Sequence, residues 1–120
     1  MESSPELEDL AQLLARRSPL AFIGTAPDEW LTDADSFIHA VRAQQEAGII
    51  GVVAGEPIAY QEGDVGWAVD RGLRFRIGDE EIPIRMTAVY HREDGEWRLV
   101  HFHTSMGVSD EDVIGTEFPT

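Results

Sequence analysis

Residues 82–105, IPIRMTAVYHREDGEWRLVHFHTS, constrain the fold of this chain more than any other stretch. Both halves alternate with period two, as strands do when successive side chains point to opposite faces. On the first half the even positions are Ile82, Ile84, Met86, Ala88 and Tyr90; on the second they are Arg98, Val100, Phe102, Thr104 and Met106. These are the more apolar sets, so both are expected on one buried face. That expectation selects the turn. A two-residue type I′ turn at Asp94-Gly95 pairs Glu93 with Glu96 and sets even residues beside odd ones. A three-residue loop with Gly95 in a G1 bulge pairs Arg92 with Glu96 and sets even beside even. The bulged turn is therefore expected, with His91 near Trp97, Thr87 near His101 and Arg85 near His103.

The opposite face then presents Arg85, Thr87, Val89, Trp97, Leu99, His101, His103 and Ser105, a patch without a carboxylate in a chain of formal charge −14. Aromatic and aliphatic anchors beside arginine, with few acids, are the makeup of a protein interface. Two-fold pairing of the patch with itself is the simplest closed arrangement, so a homodimer through this face is expected.

The same charge argues against nucleic acid, whose binding rests on cationic contacts to phosphate, and against an anionic membrane surface. With no cysteine there is neither a disulfide nor a thiolate ligand. The longest stretch without polar side chains, residues 47–55, is too short to span a bilayer, and the first residues, MESSPELED, are acidic where a signal peptide is basic. A cytoplasmic location is the expectation. At 120 residues the chain is read as one domain, with a polar tail over 109–120.

Ser4-Pro5-Glu6 reads as a helix start, with Ser4 as N-cap. Leu7, Leu10, Leu13 and Leu14 form a stripe at helical spacing, and the helix is expected to end near Arg17, before Pro19. A short strand is expected over 20–24, followed by a turn over 25–28. Residues 32–35, Thr-Asp-Ala-Asp, resemble a capping box that opens a second helix to about Ala47, with Ala34, Phe37, Ile38 and Val41 as its apolar stripe and Gly48 as its stop. A strand over 49–60 with bends at Gly51, Gly55 and Pro57 follows, then a longer one over 65–77 broken near Asp70-Arg71-Gly72. One helical turn is expected over 110–114. Helices followed by hairpin-linked strands imply an α+β fold in which the helices cover one face of a bent antiparallel sheet.

This order, together with residues 22–30 (FIGTAPDEW) and 89–105 (VYHREDGEWRLVHFHTS), resembles the nuclear transport factor 2-like superfamily, in particular its SnoaL-like domains. The second segment is similar to the terminal hairpin of the calcium/calmodulin-dependent kinase II association domain. The resemblance implies a cone-shaped, cystatin-like roll with a pocket at its open end, and a dimer or larger ring. In the kinase hub, pocket arginines on the last two strands receive a carboxylate; the matching positions here are Ala88 and Thr104, which have no charge. The superfamily holds isomerases, cyclases and dehydratases beside non-catalytic modules, so membership does not decide function.

The pocket is expected to be lined by Trp30, Phe37, Tyr60, Trp67, Met86, Ala88, Tyr90, Phe102 and Thr104, a set suited to a small apolar or weakly polar ligand. Proton transfer needs a carboxylate or histidine aimed inward, and the even face has none. Asp28, in the loop after the first strand, is the one catalytic candidate, and turn and capping chemistry is the better account of an acid beside proline. His101-x-His103 has the spacing of a metal pair but no evident third ligand, and Arg85 beside it repels a cation. No metal or cofactor is expected. A non-catalytic dimerising or ligand-binding module is the favoured reading; the alternative is a small-molecule isomerase or hydrolyase with an acid or base at the mouth of the cone.

Overall fold

The structure, a computed structural model, describes residues 5–119. Ser4, expected as the first N-cap, lies outside them. The elements are α1 (Pro5–Leu13), β1 (Ala21–Ile23), β2 (Trp30–Leu31), α2 (Ala34–Glu46), β3 (Ile49–Val53), β4 (Pro57–Glu62), β5 (Val65–Asp70), β6 (Arg74–Ile77), β7 (Glu80–Pro83), β8 (Arg85–Glu93), β9 (Glu96–Ser105) and α3 (Asp110–Ile114). This is an α+β fold with a strongly curved sheet and few helices.

Six strands run in the order β2-β1-β9-β8-β5-β4, and three more in the order β3-β6-β7. The second set continues the first strand by strand: β4 extends β3, β5 runs into β6, and β7 runs into β8. All three breaks fall at one level, so the two sets are the arms of one bent sheet. The Asp70 carboxylate organises the bend. It accepts hydrogen bonds from the N–H groups of Gly55 (3.1 Å), Glu56 (3.2 Å) and Gly72 (2.9 Å), donors that the interrupted ladders leave free. Ile84 N–H closes the third strand onto the Leu73 carbonyl at 2.9 Å, and both residues are buried. The break at Ile84 inside the opening hairpin was not expected from its alternation.

The hairpin turn differs from expectation. Glu93 pairs with Glu96, and Asp94 and Gly95 have φ of 53° and 81°, as in a tight type I′ turn. Parity is restored five residues later. Tyr90 pairs with Leu99 but Val89 with His101, leaving Val100 as the extra residue of a bulge. Beyond it even meets even again, with Ala88 opposite Phe102 and Met86 opposite Thr104, while Thr87 faces His103 and Arg85 faces Ser105. The expected partners of His91, Thr87 and Arg85 are each displaced. The bulge also turns Leu99 inward: it is buried in the core rather than on the proposed interface.

That core joins Leu14, Phe22, Phe37, Ala88 and Leu99, flanked by Leu10, Leu13, Leu31, Ile38 and Val41. Phe22 lies 4.4 Å from Phe37 and 5.2 Å from Phe102, ring centre to ring centre. α1 ends at Leu13, short of Arg17, because the next residues have other partners. Leu14 bridges to Leu99, Ala15 N–H donates to the Leu99 carbonyl, and the N–H groups of Arg16, Arg17 and Ser18 all donate to Glu93. The N-cap of α2 is Asp33 rather than Thr32; its side chain accepts from Ser36 N–H at 2.8 Å and from Ser36 Oγ at 2.7 Å, which lowers its pKa. Among the described residues no helix is long and apolar enough to cross a membrane.

Candidate functional site

Register divides the side chains of β4, β5, β8 and β9 between two faces. Ala88 packs in the core, and Ala68 and Ala59 follow it across the ladder, so these mark the helix-covered face. Trp67 pairs with Val89 and with Tyr60, so these mark the back. The expected site residues fall on both faces, some together and others apart.

Met86, Ala88, Tyr90, Phe102 and Thr104 share the helix-covered face, joined by Phe37 from α2. Phe37, Ala88 and Thr104 are buried, and Thr104 Oγ1 lies 3.5 Å from the Ile23 carbonyl oxygen. These three fill space rather than line it. Trp30 is 65% exposed on the edge strand β2, away from them. Tyr60 and Trp67 stack at 5.7 Å, and their register directs them to the back face. Parity counted from the β4–β5 turn sets them on the face opposite Ala59, Gly66 and Ala68.

A groove of about 390 Å³ opens on the helix-covered side beyond the helices. Ala59, Tyr60, Gln61, Gly66, Trp67, Tyr90 and Trp97 line it. Trp97 was expected at an interface; the bulge puts it on this face instead. Its ring lies 3.5 Å from where a Gly66 side chain would begin, and the Arg92 guanidinium stacks on it at 4.5 Å. The missed residues had a signal. Ala59, Gly66 and Ala68 are small residues alternating with Tyr60, Trp67 and Val69, which leaves room on one face only. Burial pushes the Tyr90 hydroxyl above its ordinary value of 10, so it stays protonated at neutral pH and can donate a hydrogen bond. None of the residues lining this groove is a carboxylate or a histidine.

Asp28 is exposed in the β1–β2 turn, where its carbonyl accepts from Trp30 N–H at 3.0 Å. Among the described residues no three histidines or acids gather as a metal site. His101 Nδ1 is bound to the Ala21 carbonyl at 2.7 Å, an anchor to β1. Glu93 is the most perturbed acid. The N–H of Arg16 does most to hold its carboxyl down at about 2; burial opposes this, and Ser18, through its hydroxyl and N–H, and then Arg17 N–H add to it. Ser18 Oγ also meets His91 Nδ1 at 2.9 Å.

The back face is more apolar than a solvated sheet. Ile58, Tyr60, Val65, Trp67 and Val69 are between 36% and 53% exposed and lie beside Val89. Arg85, Thr87, His101, His103 and Ser105 extend the same face across β8 and β9. Of the expected interface residues only Trp97 and Leu99 are elsewhere.

The fold has many solved counterparts. An NTF2-like protein of unknown function from Pseudomonas putida superposes with a TM-score of 0.76 at 15% identity, covering 96% of this chain and 82% of its own. A candidate ketosteroid isomerase from Parabacteroides distasonis gives 0.69 at 14% identity, covering 87% and 77%. A candidate calcium/calmodulin-dependent protein kinase type II association domain from Thiobacillus denitrificans gives 0.64 at 26% identity, covering 85% and 82%. No curated protein matches the sequence. The SnoaL-like domain model matches residues 3–109, nearly the whole chain, and the protein belongs to that family.

Proposed function

We propose that this chain is a single-domain, non-catalytic module that forms a homodimer through the back face of its sheet and holds a small apolar or weakly polar molecule in the groove of a cone-shaped interior. The observation behind it is the exposed apolar row Ile58, Tyr60, Val65, Trp67 and Val69 on a face that helices do not cover. A monomer rarely leaves so contiguous an apolar surface in water. In a dimer, Tyr60 and Trp67 supply the rigid aromatic anchors, and Arg85, His103 and Ser105 a polar margin. The likeness to association domains is consistent with pairing. The groove favours binding over catalysis: Tyr90 and Gln61 can hydrogen-bond a ligand and Trp97 can stack on it, while no lining side chain moves a proton at neutral pH. A reaction of the isomerase or hydrolyase class would have to recruit Asp28 from its exposed turn.

Sedimentation of the wild type and of Tyr60→Glu/Trp67→Glu tests the reading. The expected result is a wild-type dimer at about 10 µM, burying roughly 1,200–2,000 Å², and a folded monomeric variant. A wild-type monomer, or a variant that stays dimeric, overturns it.

A further inference from the structure

We infer that the cleft at the bend end of the back face is a binding site for a small organic oxyanion, a carboxylate or a phosphate ester. Two cross-strand rows build it. Val69, Thr87 and His103 form one; Arg85 and Ser105 form the next, with Arg71 on the loop that follows β5. The open cleft holds about 380 Å³, the lower end of small-ligand pockets and too little for a folded segment.

The charge pattern points to an external anion. Arg17, Arg74, Arg76, Arg92 and Arg98 each pair with a carboxylate of this acidic chain. Arg71 and Arg85, which flank the cleft, have no such partner among the described residues. The acid in the cleft wall, Asp70, makes no ion pair with either among the described residues; its oxygens accept from backbone N–H groups of the bend. Arg85 is also positioned: its Nε donates to Ser105 Oγ at 3.3 Å, which leaves the terminal N–H groups to grip an oxyanion in the forked manner arginine favours. Thr87 and His103 add donors beside it. Val69 supplies an apolar wall, which suits an organic anion better than an inorganic one.

The cleft begins in the row next to Trp67 and shares Val69, Arg85, His103 and Ser105 with the margin of the proposed dimer face, so binding and assembly are read separately. Calorimetric titration of the purified protein with succinate, benzoate, glycerol phosphate, inorganic phosphate and the neutral control benzamide tests it, with sedimentation run on the same samples. Saturable binding of a carboxylate or of glycerol phosphate at or below about 1 mM is expected, with none for benzamide. The carboxylate and phosphate arms identify which oxyanion is preferred. Arg71→Gln and Arg85→Gln should each weaken binding roughly tenfold or more, and Arg16→Gln, a distant exposed arginine, should not. Failure of every organic anion to saturate, or equal affinity in Arg71→Gln/Arg85→Gln, overturns the proposal. So does an affinity loss found only where sedimentation shows the variant has changed its oligomeric state, since the site would then belong to the assembly.

Discussion

A side chain on Gly55 would start 2.2 Å from the carbonyl carbon of Gly72, inside any tolerable contact. The reverse is milder: a side chain on Gly72 would meet Gly55 Cα at 3.3 Å. Two strands thus cross the bend at a separation that only glycine at position 55 allows. Gly55→Ala is expected to cost about 2 kcal/mol or more, and Gly72→Ala clearly less. Asp70→Asn should cost about 1–3 kcal/mol, because an amide keeps a single acceptor oxygen for three N–H donors. Urea unfolding of the three variants checks the order; equal losses for the two glycines would mean that the bend yields.

Glu93 couples stability to acid. Its folded-state value of about 2 lies below the ordinary 4.5, so its stabilisation is complete above 4.5 and is lost as pH falls through about 2. Glu93→Gln should lower stability at neutral pH and flatten the pH dependence across that window. Thermal melts of both proteins from neutral pH downward decide it. Parallel curves would place the acid sensitivity elsewhere.

Phe102 joins the aromatic cluster with Phe22 and Phe37, at 5.2 and 5.4 Å. Phe102→Ala should cost about 3–5 kcal/mol in denaturant unfolding, as truncation of a packed aromatic. A change below about 1 kcal/mol would show that the cluster closes over the gap.

The alternation of residues 82–105 was legible, and so was the sharing of one face by Ala88 and Phe102. The route to that sharing was not. A bulge in the turn and a bulge at Val100 give the same parity at Ala88, and hydrophobic pattern reports parity only. The difference matters for Trp97 and Leu99, which lie between the two possible bulges and so change face. Glu93 looked like a turn acid because its partners, residues 16–18, are distant in sequence and show there only as backbone. The breaks at Gly55 and Gly72 were visible as glycines; the one at Ile84 was not, since an isoleucine gives no local sign of a broken strand.

Phe22 and Phe102 sit side by side in the one parallel pair among the described strands, β1 against β9. Seen in the order of synthesis, this pairing imposes a wait. Phe22 leaves the ribosome eighty residues before its neighbour, roughly 4–16 s at ordinary elongation rates. Through that interval β1 lacks its partner in the main sheet, and Phe22 lacks Leu99 and Phe102. The nascent chain therefore closes its core late, when β9, the last strand made, enters between β1 and β8.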